Sequence, residues 1–478
     1  MEKPERRPMD IRSDNTPMAQ WTVDSHREPV VRIGVVLPED GDTEVCLEVP
    51  PGGYRAAASS GAGRAGQPIA GRVTARCRAG GVALATPEGD RGLSERWRIV
   101  PHAGGGADVP CVRLHNIVAG RGFHWEKRID EDLPGSLEIA QADGRILLVN
   151  ELPIDAYLKG VITAEMGGQC PMDLLKAQCV TARTWMLART ERKHEKLRFD
   201  YCNDDCCQRY QGYTHLTPSG RQAVDETRGE IMIHRNGSII DANYSKSCGG
   251  ICEAPEPVWG VAKPGQHAVA DAPFDSYARG FLPVRPGRLD EYLTGDWLKK
   301  CDVFCSPNVV PNADLPRYLG AVDEGGGYFR WAVEYPREAL EDILRRKFFA
   351  RKGFAGNGGG MVALEDLTVT RRGMSGRAIS LNVVYRSRDG HLNVAPVHDQ
   401  YWIRHALHEK FLYSSAFAVG IRRDDAGLIQ TVRFTGAGWG HGAGLCQIGA
   451  LGMALVGHEY TTILHHYFER MRIERVYD

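Results

Sequence analysis

The chain has 478 residues, enough for roughly two or three domains, and a globular composition with 42% hydrophobic and 25% charged residues. Lys and Arg number 59 against 60 for Asp and Glu, which argues against a general nucleic-acid-binding protein. No apolar run approaches the roughly 18 residues of a membrane-spanning helix, so we expect no membrane span.

The N-terminal part of the chain divides into a polar segment and a β-rich portion. Residues 1–30 are polar and lack the apolar stretch of a secretion signal, so we expect a disordered tail there. From residue 31 to about residue 150, short runs such as "TEVCLEV" and "GRILLV" are rich in β-branched residues and alternate with Gly, Pro and Asp. This pattern predicts a β-rich portion at 31–150.

Helical spacing begins in the next segment, "LPIDAYLKGVITAEM". Pro171 is placed to open a second, longer helix, which we expect to continue to Leu197. Apolar residues recur along it at steps of three and four, which indicates a face turned to a core. Lys176 and Arg183 are seven residues apart, so this helix presents two cations on one face, about two turns apart.

Residues 151–478 are expected to form one core with an insertion. "EIMIHRNGSIIDANY" predicts two strands joined at Asn236-Gly237, a pair typical of hairpin turns. Residues from about 254 to 356 alternate loops with two predicted helices, near 289–300 and 336–348, and are expected to be the insertion. Strands then resume, and two helical runs close the chain. The fold class is therefore mixed α+β.

Four separated segments share their order and spacing with a known family. They are "NELPIDAYLKGVITAEM" with "LLKAQCVTARTW", then "CQRYQGY", then "ANYSKSCGGICEAPEPVWG", then "GWGHGAGLCQIGALGMALVGHEYTTILHHYF". Together they resemble the stage II sporulation protein D (SpoIID) and amidase-enhancer (LytB) family, from about residue 31 to residue 468. The sequence departs from the family where cysteines replace its usual small or hydroxyl residues, at Cys179, Cys248 and Cys446. Trp185 stands at a usual aromatic position, and residues 397–417 match only loosely.

The resemblance implies action on peptidoglycan. Active members are lytic transglycosylases that cut glycan strands between N-acetylmuramic acid and N-acetylglucosamine and leave 1,6-anhydro ends. Other members only enhance an N-acetylmuramoyl-L-alanine amidase, and a glycan-binding protein without turnover is a third alternative. The family's catalytic acid corresponds to Glu165. The family positions expected to contact the glycan are Lys176, Arg183, Tyr244, Ser245, His441 and Gln447.

The residues around Glu165 suit an acid catalyst. It follows Val161, Ile162 and Ala164, and a carboxyl group in such a half-buried setting keeps its proton more readily, as a general acid requires. An arbitrary Glu of this kind is far more often a capping or surface residue, so the catalytic interpretation depends on the four-segment resemblance.

Four side chains have expected roles in glycan contact under the resemblance. Lys176 and Arg183 would hold the lactyl carboxylate of muramic acid, because a planar guanidinium suits a carboxylate. The glycine-rich stretch "GAGWGHGAGLCQIGALGMA" predicts a backbone that bends sharply or approaches another group closely. We expect Trp439 to offer an apolar face to a sugar ring, and His441 a polar edge. Core packing of Trp439 is an equally weighted alternative.

One part of the chain concentrates metal-ligand side chains. "HEKLRFDYCNDDCCQRY" holds three thiols and an imidazole within fourteen positions: His194, Cys202, Cys206 and Cys207. This is a complete tetrahedral set for a structural zinc ion. Cys248 or Cys252 is an alternative fourth ligand to His194. An iron–sulfur cluster on the three thiols and Cys248, and buried or disulfide-bonded thiols, are the other interpretations.

The expected partners follow from the resemblance. They are peptidoglycan glycan strands and, for the enhancer alternative, an amidase. This substrate implies the cell envelope, whereas the sequence shows no export signal, so the sequence by itself leaves the location open.

Overall fold

The computed structural model describes residues 27–59, 66–102, 110–123, 126–188, 190, 193–319, 327–350 and 360–478. The chain forms two compact units. The first comprises residues up to 168, 187–229 and 475–478, and the second comprises 169–186 and 230–474. Of the tail predicted at 1–30, residues 1–26 lie outside the described residues, and the first strand begins at Val30.

The described residues form strands and helices in nearly every segment. The strands are β1 (Val30–Val36), β2 (Glu44–Ala58), β3 (Gln67–Arg78), β4 (Gly81–Thr86), β5 (Gly89–Ser94), β6 (Arg96–Pro101), β7 (Val112–Ala119), β8 (Lys127–Leu133), β9 (Ser136–Ala142), β10 (Arg145–Pro153), β11 (Tyr201–Cys202), β12 (Glu230–His234), β13 (Tyr244–Ser245), β14 (Ile251–Cys252), β15 (Val269–Ala270), β16 (Arg330–Pro336), β17 (Met361–Arg372), β18 (Ala378–Ser387), β19 (Leu392–His398), β20 (Phe417–Arg423), β21 (Ile429–Ala437), β22 (Leu445–Cys446) and β23 (Met471–Arg475). The helices are α1 (Ile154–Glu165), α2 (Met172–Ala188), α3 (Pro218–Glu226), α4 (Glu256–Trp259), α5 (Leu289–Thr294), α6 (Leu315–Leu319), α7 (Arg337–Leu344), α8 (Gln400–Ala406), α9 (Gln447–Leu455) and α10 (Tyr460–Tyr467). The predicted mixed α+β class is confirmed.

The first unit is built on an eleven-stranded sheet. Its order is β11-β1-β10-β9-β6-β2-β3-β4-β5, with β7 paired to β2 and β8 paired to β7. The β9–β10 hairpin turns at Asp143 and Gly144, which have φ values of 53° and 71°. Positive φ at both turn positions matches the right-handed twist of the strands. Strand β11 adds in parallel to β1, with Cys202 opposite Gly34, and α1 follows directly after β10.

The second unit contains two three-stranded antiparallel sheets, β16-β21-β20 and β17-β18-β19. Their core includes Trp331, Leu344, Leu381, Phe417 and Phe434. Three strand pairs complete the unit: β12 with β23, β13 with β22, and β14 with β15. The pair β13–β22 is parallel and joins Tyr244 to Leu445 and Ser245 to Cys446 in register.

The structure differs from the predicted elements at three places. Helix α2 ends at Ala188 rather than near Leu197, because residues 193–198 are largely exposed and no packed face supports a longer helix. After the Asn236-Gly237 turn, the second strand of the hairpin is reduced to an isolated bridge between Ile233 and Ile239. The boundary between the two compact units also does not fall at residue 150, because helix α1 belongs to the same unit as the β-rich sheet.

The two helices predicted within 254–356 are present. One is α5 followed by a short 3-10 turn at Asp296–Lys300, and the other is α7 followed by a π-helical turn at Arg345–Phe349. Across the part of the chain that the structure describes, no helix is both long enough and apolar enough to cross a membrane.

Candidate functional site

Glu165 is the last residue of α1, and 9% of its surface is exposed. Its Oε1 accepts a hydrogen bond from the backbone N–H of Arg209 over 3.0 Å. Val161 and Ile162, on the preceding turn, are fully buried. The carboxylate is therefore more buried than the half-buried setting expected from the sequence, and a main-chain donor fixes one of its oxygens.

The segment that carries Arg209 is held against α1 by its neighbours. The Tyr157 hydroxyl donates to Oε1 of Gln208 over 3.3 Å, and the rings of Tyr157 and Tyr210 stack with centroids 4.8 Å apart. The Tyr210 hydroxyl donates to Oδ1 of Asn150 over 2.7 Å. At Gly160, any Cβ would meet the Gly212 carbonyl oxygen at 2.5 Å, so glycine permits this close approach.

Buried charges anchor the preceding loop. Asp204 accepts hydrogen bonds from the backbone N–H groups of Gly120 and Arg121 over 2.9 and 2.8 Å, and the Arg121 guanidinium lies 3.1 Å from the same carboxylate. Burial, together with the neighbouring Asp205 carboxylate, raises the pKa of Asp204 to about 6, and Arg121 opposes this rise. Asp205 in turn pairs with the Arg209 side chain over 3.2 Å.

The structure brings the four predicted metal ligands together in the same unit: His194, Cys202, Cys206 and Cys207. Nε2 of His194 lies 3.5 Å from the Cys207 Sγ and 3.8 Å from the Cys206 Sγ. The sulfurs of Cys206 and Cys207 are 4.0 Å apart, and those of Cys202 and Cys206 are 2.9 Å apart. All four ligand atoms lie within 4.8 Å of one another.

These distances fit a tetrahedral metal at three of the four measured edges. With zinc–sulfur bonds of about 2.3 Å, neighbouring sulfurs in a tetrahedron are about 3.8 Å apart. The 2.9 Å separation of Cys202 and Cys206 is shorter than this edge but much longer than a disulfide bond of about 2.05 Å. All 13 cysteines of the chain are described, and all are free thiols.

His194 therefore groups with the three thiols, whereas Cys248 belongs to another cluster. Cys248 lies in the second unit with Cys305 and Cys446. Two alternatives placed Cys248 among the ligands here, as a fourth zinc ligand or in an iron–sulfur cluster. Both are wrong, because Cys248 groups with Asp271, Cys305 and Cys446 instead.

The glycine-rich stretch in the second unit follows a tightly packed path. Gly442 and Gly444 have φ values of 76° and 73°. Any Cβ at Gly442 would meet the Arg377 guanidinium at 2.1 Å, and any Cβ at Gly444 would meet the Asn243 carbonyl oxygen at 1.9 Å. Glycine is required here both by the left-handed backbone and by the close approach of neighbours.

Trp439 is half-buried within a group of aromatic rings. Its ring stacks on Tyr413 at 4.4 Å with an interplanar angle of 18°, and Tyr328 tilts against it at 4.9 Å. Its backbone bridges to Ser247. Tyr413 therefore covers one face of the indole, which supports the packing alternative for that face.

His441 lies two residues further on and is half-buried. The Trp259 ring meets it edge-on at 5.0 Å, and its Nδ1 accepts the Ala443 backbone N–H over 3.1 Å. Desolvation, together with the nearby cations Arg404, Arg377 and Lys263, lowers the pKa of His441 to about 3. The imidazole is therefore neutral at physiological pH.

The other expected glycan-contacting residues of this unit lie on connected elements. Tyr244 and Ser245 form β13, and Gln447 opens α9 directly after the paired strand β22. The Gln447 side chain donates to Gln178 of α2 over 3.5 Å. The glycine-rich stretch is thus tied to the helix that carries Lys176 and Arg183.

The two cations of α2 have different surroundings. Lys176 is half-buried, with its Nζ 5.7 Å from the centre of the Tyr460 ring. Arg183 is 0% exposed and donates from Nη1 to the Glu230 carbonyl oxygen over 3.1 Å. The sequence places both cations on one face of α2, but Arg183 packs inside the unit while Lys176 stays half-buried.

Comparison with known proteins bears on this arrangement. A family model described as Stage II sporulation protein (SpoIID) matches residues 142–234, the range that contains Glu165, α2 and the His194 cluster. The predicted resemblance to the SpoIID family is confirmed. A second model, a domain of unknown function (DUF8618), matches residues 308–444.

Two relatives extend beyond the SpoIID match. An uncharacterized protein of Brachyspira hyodysenteriae is 28% identical over 342 residues, covering 71% of this chain and 71% of that protein. A Bacillus subtilis protein named amidase enhancer is 27% identical over 320 residues, covering 65% of this chain. That match spans 39% of the amidase enhancer's length.

Within the SpoIID match, the segment that donates to the candidate acid and its contact on α1 include residues that the sequence alone did not single out. They are Tyr157, Gln208, Arg209 and Tyr210. The segment "CQRYQGY" signalled three of them as part of the resemblance, but no local pattern links Arg209 to Glu165, since 44 positions separate them.

Proposed function

We propose that this protein is a peptidoglycan lytic transglycosylase with Glu165 as its single acid and base. The observation that carries the proposal is the fixed carboxylate: Glu165 is 9% exposed, and Oε1 receives the Arg209 N–H over 3.0 Å. This main-chain donor on Oε1 fixes the direction of the carboxylate. General acid–base catalysis needs this kind of positioning.

The reaction balances with one carboxyl group. Protonated Glu165 gives its proton to the glycosidic oxygen while the bond from that oxygen to C1 of muramic acid breaks. The resulting carboxylate then takes the proton of the sugar's own 6-hydroxyl as O6 bonds to C1. The product is a 1,6-anhydro end, no water is consumed, and Glu165 regains its proton. Hydrolases with two carboxylates differ because water or an enzyme nucleophile attacks C1.

The resemblance assigns candidate sugar contacts to side chains of the second unit. Lys176 carries a charge suited to the lactyl carboxylate of muramic acid. Neutral His441 offers a polar edge, and Trp439 an apolar ring of which Tyr413 covers one face. The burial of Arg183 favours a structural role, so in this proposal Lys176 is the cation that meets the substrate.

We infer further that His194, Cys202, Cys206 and Cys207 hold a structural zinc ion. The ion would act as a cross-link, since four protein ligands leave no position open for a substrate. In this chain the ion would fix the position of the neighbouring backbone. Cys207 precedes Arg209 by two residues, so fixing the thiols also fixes the backbone that donates to Glu165.

A second candidate function is enhancement of an amidase without glycan cleavage. The observation that favours it is the 27% identity to a protein named amidase enhancer. Both functions place this chain on peptidoglycan in the cell envelope.

One experiment separates the two functions. Glycan strands stripped of stem peptides are incubated with the purified protein, and the products are analysed by mass spectrometry. Release of products ending in 1,6-anhydromuramic acid supports the transglycosylase. Products with reducing ends would mean that water attacks and that a second carboxylate takes part. No release, combined with stimulation of an N-acetylmuramoyl-L-alanine amidase, would make this protein an enhancer and refute the enzyme.

A further inference from the structure

A second group of thiols lies in the second unit, outside the SpoIID match. It comprises Cys248, Asp271, Cys305 and Cys446, here called the Cys248 cluster. None of these residues is more than 2% exposed, and their ligand atoms all lie within 4.8 Å of one another. Four separate chain segments contribute one side chain each. This convergence is unlike a lone buried cysteine that fills a gap in a core.

The measured separations match a tetrahedral centre. The sulfurs of Cys248 and Cys305 are 3.7 Å apart, and the Cys248 Sγ lies 3.5 Å from Oδ2 of Asp271. For zinc–sulfur bonds of about 2.3 Å and a zinc–oxygen bond of about 2.1 Å, a tetrahedron has edges of about 3.8 and 3.6 Å. The sulfur–sulfur separation also excludes a disulfide bond between Cys248 and Cys305 in this structure.

The surrounding groups orient the sulfurs as ligands. The Cys446 Sγ accepts hydrogen bonds from the backbone N–H groups of Cys248 and Gly449, over 3.2 and 3.3 Å. The Cys248 Sγ accepts the Gly250 N–H over 3.4 Å. Hydrogen bonds of this kind stabilise charged sulfur, the form that binds a metal.

The carboxylate of Asp271 is held in the same way. Oδ2 accepts the Cys305 backbone N–H over 3.1 Å, and Oδ1 accepts the Tyr467 hydroxyl over 2.7 Å. Nε2 of His466 lies 3.8 Å from Oδ1. Outer contacts that orient a ligating carboxylate are typical of metal centres.

We propose that Cys248, Cys305, Cys446 and Asp271 bind a second zinc ion, in a closed structural site. Thiolate ligands select zinc over magnesium or calcium, and four protein ligands leave no position open for catalysis. A carboxylate and several sulfurs buried together without a cation would carry a large desolvation cost, which a divalent ion offsets. The proposal does not depend on glycan cleavage.

The site explains two departures of the sequence from its family. Cys248 and Cys446 stand where the family usually has small or hydroxyl residues, and both belong to the cluster. The metal would also cross-link two elements that carry candidate glycan contacts. Cys446 ends β22, which pairs with Tyr244 and Ser245, and it caps α9 directly before Gln447.

Elemental analysis of the full chain, purified without added metal, tests the proposal. We expect about two zinc ions per chain, one for each closed site. Cys305→Ser should lose one ion, Cys206→Ser the other, and the double variant both. Cys301→Ser is the matched control, since Cys301 is buried nearby but does not belong to the cluster. Retention of the full wild-type zinc content in Cys305→Ser would overturn the proposal.

A second measurement covers the case in which Cys305→Ser does not fold. Asp271→Asn keeps all three thiols, so it should bind zinc but release it to a chelator at least tenfold faster than the wild type. The Cys206→Ser protein, refilled with cobalt(II), should still show the visible absorption of a tetrahedral thiolate centre. A colourless Cys206→Ser protein, or an intact mass showing a disulfide between cluster cysteines, would refute the site.

Discussion

The backbone N–H of Arg209 donates a hydrogen bond to the Glu165 carboxylate over 3.0 Å. Arg209 stands two residues after Cys207 and one residue before Tyr210, so one short segment connects the candidate zinc ligands, the candidate acid and the aromatic stack on α1. A change in any of these three parts should alter the position of the Glu165 carboxylate.

Glu165→Gln tests the acid and base directly. The amide keeps the size of the side chain and can still accept the Arg209 N–H, but it cannot exchange the required proton. We expect turnover of denuded glycan to fall by about a hundred- to ten-thousandfold, with little change in melting temperature or glycan binding. Product release is followed by mass spectrometry. Turnover within tenfold of the wild type would show that another group is the acid.

Tyr210→Phe tests the positioning of the segment that carries Arg209. The change leaves the Tyr157 stack in place but removes the hydroxyl that donates to Asn150 over 2.7 Å. An unpaired buried acceptor costs about 1–3 kcal/mol, so denaturant unfolding should show a loss of this size. Tyr54→Phe is the control. The Tyr54 hydroxyl is buried without a hydrogen-bond partner among the described residues, so its removal should be neutral or stabilising.

Substitutions of the two cations of α2 should have different effects, one on folding stability and the other on glycan binding. Arg183→Ala empties a fully buried position, so we expect a loss of about 2–4 kcal/mol in the free energy of unfolding. Lys176→Ala should leave stability within about 0.5 kcal/mol and weaken binding to native glycan. It should not weaken binding to glycan whose lactyl carboxylates are esterified. Equal effects of Lys176→Ala on both glycans would remove Lys176 from carboxylate recognition.

The lowered pKa of His441 predicts that the free energy of unfolding depends on pH. Its pKa of about 3 in the folded chain lies below the unfolded value of about 6.5, so between these values only the unfolded chain takes up the proton. The stability from neutral His441 is complete above about pH 6.5 and is lost as the pH falls toward 3, at up to about 1.4 kcal/mol per pH unit. His441→Gln should flatten the curve of unfolding free energy against pH in this window. Parallel curves for the two proteins would contradict the prediction.

Loss of the zinc ion proposed at His194, Cys202, Cys206 and Cys207 should act on both the fold and Glu165. In Cys207→Ser we expect a lower melting temperature and reduced turnover, because the backbone at Arg209 loses its anchor. Zinc content and activity are measured on the same preparation. A fully active Cys207→Ser protein with one zinc ion fewer would separate the metal from the positioning of Glu165.

Several features of this protein were determined by the sequence itself. The short β-branched runs formed the strands of the first unit, and the turn at Asn236-Gly237 formed as its residue types dictate. The His194 cluster was also predictable, because its four ligands lie within fourteen positions and a short chain keeps them close. Local periodicity and turn chemistry act over a few residues, and these features need no more than that.

The contacts that make the site specific were decided only by the tertiary structure. The Arg209 N–H reaches Glu165 across 44 positions, and the Cys248 N–H reaches the Cys446 sulfur across 198. The sequence of α2 likewise predicts two cations on one helix face, but packing inside the second unit buries Arg183 completely while Lys176 stays half-buried. The packing of whole sheets and helices decides which remote segments meet. The spacing of residues along the chain does not specify this packing.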